Sequence, residues 1–179
     1  MWNPEKYQQA IMFAGEAHAG QLFPGSQASY VVHLAEGSIE ILHACARAPG
    51  DWDVDLAMQC ALLHDSIEDT KTTYDEVEVA FGAQVAKGVL ALTKNDHLPK
   101  SEQMMDSLTR IRETGQPEVA MVKLADRITN LQSPPHYWDK VKIAHYREEA
   151  RVILDQLGFA SAFLAQRLKD KIDAYARFL

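Results

Sequence analysis

Two short segments of the chain concentrate residue types that bind metal ions or move protons. The first spans residues 62–70, LLHDSIEDT, and holds one imidazole and three carboxylates: His64, Asp65, Glu68 and Asp69. At about 100° per residue these groups share one face of a helix, opposite an apolar stripe. A solvated acidic face would explain them, but so many carboxylates repel one another unless a cation or solvent relieves them. The segment is therefore a candidate cation site.

The second segment spans residues 122–131, VKLADRITNL. On a helix, Asp126 lies one turn from Asn130, and most of the remaining surface is apolar, so Asp126 is expected to point into the protein or a cleft. A buried carboxylate needs a partner, because desolvating an unpaired charge is costly. An ion pair with Lys123 or Arg127 and a bound metal would both supply one, and the segment alone leaves the two open.

The third candidate is His33, at the end of the string YVVH. A single histidine at a helix start is more often a surface or packing residue than a ligand. The remaining histidines have no partner spacing, and we interpret them as structural: His18, His43, His97, His136 and His145.

These groups must be positioned by helices, because helical periodicity runs along almost the whole chain and strand-type alternation is absent over any useful length. The prediction is an all-α fold of roughly eight to ten helices in one domain spanning residues 1–179. A loop is expected at 21–29, and one continuous helix from Val54 to about Asp69. The helix that carries the first apolar stripe after this loop should end before Pro49.

Turn and cap residues predict several further boundaries. Thr73 to Glu76 has the form of a capping box, and Gly82 is the expected stop, with a short helix following over residues 83–92. Ser101 can cap a helix that ends before Gly115. Pro117 suits the first turn of a helix through Leu131.

Composition limits the class of protein. The chain has 179 residues, 47% hydrophobic and 24% charged, with a formal net charge of -7. That charge disfavours a broad surface for nucleic acid. No window approaches the roughly 18 apolar residues of a membrane span and no signal peptide is evident, so no membrane association is expected. Cys45 and Cys60 lie in apolar helical stretches, which is typical of core thiols in a reducing cytoplasm.

Taken together, the three segments resemble a known family. A lone histidine, a His-Asp pair about thirty residues later and an aspartate about sixty residues beyond it resemble the pattern of HD-domain metal-dependent phosphohydrolases. The strings YVVH, ALLHDSIEDT and KLADRITNL are similar to the hydrolase domain of RelA/SpoT enzymes, in particular the stand-alone small alarmone hydrolases such as the metazoan SpoT homologues. The resemblance runs from about Tyr7 to the end and implies a compact HD-domain helical bundle.

The resemblance also implies residue roles. The positions that match the metal ligands, usually of manganese in this family, are His33, His64, Asp65 and Asp126. Glu68 and Asp69 match the pair that orients and deprotonates the attacking water. The positions that match substrate contacts are Asn130, Lys94, Lys100 and Tyr146.

The implied reaction is removal of the 3′-pyrophosphate from guanosine or adenosine 5′-di- or triphosphate 3′-diphosphate alarmones, which gives GDP or GTP (ADP or ATP) and pyrophosphate. Two imidazoles and two carboxylates form a mixed donor set that suits Mn, Fe, Co or Zn. A small free nucleotide is the expected partner, since the cation and nearby lysines can make the local field positive in an acidic protein. Two alternatives remain: an HD-type phosphatase of another nucleotide such as NADPH, and a non-catalytic nucleotide-sensing module.

One stretch departs from the family. The family pattern HxGQxRKxGxPYxxHP is matched here by HAGQLFPGSQASYVVHL, residues 18–34, so Leu22 and Phe23 replace an Arg-Lys pair that lies beside the purine and phosphates. Arginine can stack on a base and bind phosphate, whereas leucine cannot bind phosphate. Phe23 could stack on the base, or it could cover the core as a loop aromatic. The choice between guanine and adenine therefore stays open, as do the native metal, the regulation and the oligomeric state.

Overall fold

The computed structural model describes residues 2–48 and 50–179, which form ten α-helices and two short 3₁₀ turns without any named strand. The helices are α1 (Pro4–Ala17), α2 (Val31–Arg47), α3 (Val54–Leu63), α4 (Ser66–Asp69), α5 (Tyr74–Phe81), α6 (Ala83–Leu92), α7 (Lys100–Glu113), α8 (Pro117–Asn130), α9 (Lys140–Leu157) and α10 (Ala162–Tyr175). The predicted all-α class is confirmed. Pro49, the predicted limit of α2, lies outside the described residues.

Most predicted helix boundaries agree with these elements. Thr73 and Glu76 form both hydrogen bonds of a capping box at the start of α5, and Gly82 separates α5 from α6 with a φ of 87°. That φ lies in the left-handed region, where a glycine avoids the steric cost of a Cβ. Pro117 is the first residue of α8, as expected for a ring that presets a helical φ.

The predicted cap at Ser101 is wrong. The helix α7 begins one residue earlier, at Lys100, and its N-cap is Pro99. Pro99 has an extended ψ of 142°, and its carbonyl accepts the Glu102 N–H at 2.8 Å. The proline therefore sets the start of the helix, and Ser101 lies inside the first turn.

The predicted continuous helix from Val54 to Asp69 is also wrong, because the structure breaks it between α3 and α4. The ring Nδ1 of His64 lies 2.8 Å from the Ala61 carbonyl oxygen, so the side chain takes an acceptor that belongs to the helix. Asp65 then adopts φ -98° and ψ -3°, which is bridge-region rather than α-helical backbone. The two residues that the sequence placed on a helix face therefore lie in a turn.

The core is centred on α8, which packs against α2, α3, α9 and α10. Helix α3 is buried over nearly its whole length, and α8 is buried over most of its own. Each large apolar side chain removed from water contributes about 1.5–3 kcal/mol, so these helices are held firmly. The candidate ligands are thus carried by the most buried part of the fold.

Among the helices of residues 2–48 and 50–179, none has the combined length and apolar character needed to cross a membrane.

Candidate active site

His33, His64 and Asp126 come together from α2, from the turn after α3, and from α8. Each offers a donor atom, these atoms all lie within 4.8 Å of one another, and all three residues are buried. Asp126 Oδ1 lies 3.5 Å from His33 Nε2 and 3.7 Å from His64 Nε2. His33 is in the first turn of α2, His64 follows α3, and Asp126 is on α8. The packing of α2, α3 and α8 therefore assembles the trio.

Asp65 lies at the edge of this trio. Its Oδ2 is 3.0 Å from His64 Nε2 and 3.5 Å from His33 Nε2. The hydroxyl of Tyr30 donates a hydrogen bond of 2.5 Å to the same oxygen. Asp65 is not part of the mutually close set, but it faces both imidazoles. We call His33, His64, Asp65 and Asp126 the histidine–aspartate cluster.

The chemistry of the donor set fits a divalent metal ion. Because His64 Nδ1 donates to the Ala61 carbonyl, a neutral ring directs the lone pair of Nε2 at the carboxylates. This buried Nε2 has no hydrogen-bond partner among the described residues, even though Asp65 Oδ2 is 3.0 Å away, because the two atoms are not aligned for a hydrogen bond. Two acceptors that face each other repel, and a cation between them removes the conflict. Mixed imidazole and carboxylate donors suit first-row divalent ions.

The charges of the cluster are strongly coupled. Without a metal ion, a proton on Nε2 of His64 relieves this repulsion, because burial lowers the pKa of His64 but the charge of Asp65 outweighs it and raises the pKa well above its ordinary value. A metal ion at Nε2 would displace that proton. Burial likewise raises the pKa of Asp65, but His64 outweighs it and holds the pKa well below the usual range. The pKa of Asp126 is also well below its ordinary value, because Lys123 and the two imidazoles outweigh burial. Both carboxylates are therefore ionised at neutral pH.

Asp126 is held on its own helix as well. Lys123 Nζ lies 3.1 Å from Oδ2, and the amide of Asn130 donates to Oδ1. The ion pair left open by the sequence therefore exists, and it coexists with the contacts to His33 and His64. Lys123 and Asn130 fix the orientation of a carboxylate that also faces the imidazoles.

A cavity of about 380 Å³ opens from the cluster. Its lining is Tyr30, Asp65, Glu68, Asp69, Lys94, Met104, Ser107, Lys123, Asp126, Arg127, Asn130, Tyr146 and Glu149. Five residues singled out for water or substrate are in that lining: Glu68, Asp69, Lys94, Asn130 and Tyr146. A larger groove of about 570 Å³ runs past Phe13 and Val79, but it contains none of the cluster, so the smaller cavity is the chemical candidate.

Glu68 and Asp69 line the cavity in different ways. Glu68 is clamped by Lys94, whose Nζ lies 2.6 Å from Oε1 and whose backbone N–H donates to Oε2 at 2.9 Å. Burial lowers the pKa of Lys94, but Glu68 outweighs it and raises the pKa, so the ammonium stays charged. Asp69 Oδ2 accepts a hydrogen bond of 3.2 Å from Gln21. Burial and the charge of Asp65 raise the pKa of Asp69, which favours proton uptake.

Another part of the cavity lining pairs Arg127 with Tyr146. The guanidinium carbon of the buried Arg127 lies 4.1 Å from the centroid of the Tyr146 ring. Arg127 also donates to the Tyr146 carbonyl at 3.3 Å and lies 3.4 Å from Glu149. The Nε atom of Arg127 is buried and has no hydrogen-bond partner among the described residues. This part of the lining offers a cation and an aromatic ring to a ligand.

Two predicted contact residues do not line the cavity. Lys100 is exposed at the first residue of α7. The Phe23 ring lies 5.9 Å from the His33 ring at an interplanar angle of 22°, so it packs against a cluster residue. A substrate contact by either residue stays a prediction.

Sequence reasoning missed several lining residues. The Tyr30 hydroxyl contacts Asp65 directly, and its position in the string YVVH was an available signal. Met104 and Ser107 enter from α7 and Glu149 from α9, and their types and spacing carried no chemical signal. The approach of these helices to the cluster depends on tertiary packing alone.

Comparison with known proteins identifies the family. The family model described as HD domain matches residues 10–158. The chain belongs to the HD-domain family. The predicted resemblance is confirmed, since the mouse protein named guanosine-3′,5′-bis(diphosphate) 3′-pyrophosphohydrolase MESH1 is 32% identical over 90% of this HD-domain chain and 89% of the relative. The human MESH1 protein matches to the same extent.

Other relatives agree with this grouping. A guanosine-3′,5′-bis(diphosphate) 3′-pyrophosphohydrolase of Aquifex aeolicus is 35% identical over 72% of the HD-domain chain and 18% of its own length. The solved structure reported as a metazoan orthologue of SpoT that hydrolyses ppGpp superposes with a TM-score of 0.82 at 25% identity, covering 97% of both chains. A Listeria monocytogenes structure with a TM-score of 0.60 at 21% identity shares the fold.

Proposed function

We propose that this chain is a metal-dependent hydrolase that removes the 3′-pyrophosphate from guanosine or adenosine 5′-di- or triphosphate 3′-diphosphate. The observation that carries the proposal is one cavity in which the histidine–aspartate cluster faces water-handling carboxylates and three basic side chains. Those cations are Lys94, Lys123 and Arg127. A phosphate-rich ligand needs this pairing of a cation site with fixed positive charge.

The relatives support the same reaction. The mouse and human MESH1 proteins carry the name guanosine-3′,5′-bis(diphosphate) 3′-pyrophosphohydrolase, and this chain covers 89% of each. The orthologue of SpoT whose structure matches over 97% of both chains is reported to hydrolyse ppGpp. We therefore take residues 1–179 as a single HD phosphohydrolase domain acting on a small free nucleotide. With two free thiols, Cys45 and Cys60, the proposal places the enzyme in the cytoplasm.

The proposed metal is Mn²⁺, and the proposed ligands are His33, His64, Asp65 and Asp126. When bound, the ion supplies positive charge that lowers the pKa of water and polarises a phosphoryl oxygen. The Ala61 carbonyl holds the His64 ring through Nδ1, and Tyr30 and Asn130 hold the two carboxylates by hydrogen bonds. Such supporting bonds orient ligands and fix the tautomer of a histidine.

The proposed chemistry uses Glu68 and Asp69, which both line the cavity, to handle the attacking water. Together they orient a water molecule and accept its proton while its oxygen forms a bond to the phosphorus on the ribose 3′ oxygen. The bond between that phosphorus and the ribose oxygen breaks. The ribose oxygen then takes up a proton, and pyrophosphate leaves. Lys94, whose ammonium is held next to Glu68, is close enough to stabilise charge that develops on phosphoryl oxygens.

The remaining contacts are proposals of binding. Asn130 and Tyr146 line the cavity with Arg127, so they are suited to hold the nucleotide. Phe23 is kept as a predicted contact of the base, and Lys100 as a predicted contact of the phosphates. The alternatives of an NADPH phosphatase and a non-catalytic sensor receive less support, because the relatives are named as pyrophosphohydrolases and both water-handling carboxylates are in the cavity.

A product profile tests the proposal. The purified chain is incubated with Mn²⁺ and, separately, ppGpp, pppGpp, ppApp and NADPH, and the products are separated by anion-exchange chromatography. We expect pyrophosphate and the matching 5′-di- or triphosphate from at least one 3′-pyrophosphorylated purine nucleotide. Orthophosphate from NADPH as the only product would support the phosphatase alternative. No turnover of any 3′-pyrophosphorylated nucleotide would overturn the proposal.

A further inference from the structure

A chain of hydrogen bonds connects the loop after α1 to Asp69. His18 Nδ1 lies 2.7 Å from Gln21 Oε1, and Gln21 Nε2 lies 3.2 Å from Asp69 Oδ2. The polarity of the chain follows from chemistry. A carboxylate accepts but does not donate, so the amide nitrogen of Gln21 must face Asp69. Its oxygen then faces His18, whose Nδ1 must carry the hydrogen. Each group in this series of hydrogen bonds thus has one possible donor or acceptor role.

The His18 ring is also held in place by contacts other than the hydrogen bond to Gln21. Its side chain is buried, and its ring stacks on Tyr30 with centroids 4.9 Å apart and an interplanar angle of 25°. Tyr30 in turn donates to Asp65 of the cluster. His18 also caps α1, with its backbone N–H on the Ala14 carbonyl. The ring therefore packs against Tyr30 through its face and contacts Gln21 in the loop through Nδ1.

The backbone of Gln21 is fixed as well. Gly20 has a φ of 83°, a left-handed conformation that turns the chain back toward His18. The Gln21 N–H donates to the His18 carbonyl, and the Gln21 carbonyl accepts from the Tyr30 N–H, both at 3.0 Å. With both backbone groups paired, the side chain is directed at Asp69.

Asp69 has fewer hydrogen-bond partners to fix its carboxylate than the neighbouring Glu68 has. Both oxygens of Glu68 are held by Lys94. Asp69 is exposed at the end of the four-residue α4, and Gln21 is its only side-chain hydrogen-bond partner among the described residues. An exposed carboxylate with one fixed donor depends on that donor for its rotamer.

The geometry points to His18 and Gln21 as positioning residues that hold the Asp69 carboxylate in the orientation needed to handle water. The inference rests on the proposed function for its catalytic consequence, but the orientation itself does not. The histidine that the sequence assigned to structure alone thus acts on the reaction through Gln21 and Asp69.

Substitution of Gln21 gives the kinetic test. Gln21→Met keeps the length of the side chain and removes both hydrogen bonds, so with Mn²⁺ and ppGpp we expect kcat to fall about tenfold with little change in KM, as for the loss of one charge-assisted hydrogen bond. Gln21→Glu, which turns a carboxylate oxygen toward Asp69, should also lower kcat. The matched control is Gln27→Met in the same loop, at an exposed residue, which should retain the wild-type rate.

Two substitutions of His18 separate positioning from packing. His18→Phe keeps a ring against Tyr30 but loses the N–H, whereas His18→Asn keeps a donor near the position of Nδ1 but loses the ring. We expect His18→Phe to lower kcat like Gln21→Met and His18→Asn to retain most of it. The opposite order would mean that His18 acts through packing, and would overturn its assigned role.

A double-mutant cycle tests whether Gln21 acts through Asp69. In an Asp69→Asn background, Gln21→Met should cause little further loss, because effects through a shared partner are not additive. A further tenfold fall would contradict the inference.

An NMR measurement tests the orientation without any substrate. On protein without added Mn²⁺, which would broaden the signals, the side-chain carboxyl ¹³C signal of Asp69 should shift or broaden in Gln21→Met and stay unchanged in Gln27→Met. An unchanged Asp69 signal in both variants overturns the inference even if ppGpp is hydrolysed. An inactive wild-type enzyme with the expected NMR change overturns the proposed function and supports the positioning.

Discussion

At the scale of single residues, the site combines groups whose charges would be unstable apart. The carboxylates of the half-buried Asp65 and the buried Asp126 are ionised, and the imidazoles of His33 and His64 face them. The unpaired Nε2 of His64 is the atom that makes a cation the simplest partner. The proposal therefore assigns metal binding and water handling to different side chains, and substitutions should separate them.

Replacement of Glu68 should impair turnover and spare the metal. Glu68→Gln keeps the size of the side chain but removes a carboxylate that is proposed to handle water and that pairs with Lys94. We therefore expect kcat to fall roughly 10²-fold or more. Bound manganese, measured by elemental analysis after dialysis, should stay at the wild-type level. Glu148→Gln, on the exposed side of α9, is the control and should keep full activity. Loss of metal in Glu68→Gln would mean that Glu68 is a ligand.

Replacement of His64 should instead abolish stoichiometric metal. His64→Ala removes the Nε2 that faces both carboxylates, and Asp126→Ala removes the carboxylate that faces both imidazoles, so each variant should lose bound manganese in the same elemental analysis. His43→Ala is the matched control, because His43 is exposed and packs against Phe163 away from the cluster. Full metal content in both cluster variants would show that the ligand assignment is wrong.

At the scale of helices, the site depends on the close approach of α3, α6 and α8. Gly88 on α6 is a point of close contact, since a Cβ built there would lie 2.8 Å from Cys60 Sγ and 3.0 Å from Val119 Cγ2. These atoms belong to the helix that leads into His64 and the helix that carries Asp126. A shift of either helix would displace a proposed ligand.

Gly88→Ala should therefore lower the free energy of unfolding. Overpacking a dense core costs about 1–3 kcal/mol, which a urea titration followed by circular dichroism would detect. Gly37→Ala on α2 is the matched control, because a Cβ there meets nothing within 4 Å. It should stabilise the protein by roughly 0.5–1 kcal/mol, as expected for replacing glycine inside a helix. Equal effects at the two positions would contradict the described packing.

The elements also show what the sequence could and could not predict. Local signals were sufficient for α5 and α6, because the capping box at Thr73 and the stop at Gly82 act within a few residues. They were insufficient at His64, whose side chain takes the Ala61 carbonyl and ends α3 early. The contact between Gln21 and Asp69 joins residues 48 apart in the chain, and no periodic pattern specifies it. The residues of the histidine–aspartate cluster could therefore be named from their types and spacing, whereas their supporting contacts required the fold.

At the scale of the whole molecule, an acidic chain of net charge -7 encloses a cavity with three basic side chains. Part of the negative charge is concentrated in the histidine–aspartate cluster, where a divalent cation would offset it. The overall charge therefore disfavours long nucleic acid without excluding a small phosphate-rich nucleotide. The bound ion should also contribute to the stability of the fold, because its proposed ligands come from α2, from the turn between α3 and α4, and from α8.

Manganese should accordingly raise the melting temperature. An ion present at about 100 times its Kd stabilises the folded state by about 2.7 kcal/mol, which corresponds to a rise of roughly 5–10 °C for a domain of this size. Differential scanning fluorimetry with increasing Mn²⁺ would measure the rise, and a chelator should reverse it. Asp126→Ala should show no such rise, and an equal rise in that variant would place the stabilising ion elsewhere.

The most direct test of the central claim follows the oxygen of water. The protein is incubated with Mn²⁺ and ppGpp in H₂¹⁸O, and the masses of the products are measured by mass spectrometry. If water attacks the phosphorus on the ribose 3′ oxygen, one ¹⁸O atom appears in pyrophosphate and none in GDP. Label in the nucleoside product, label in orthophosphate as the first product, or no labelled product at all would contradict the account.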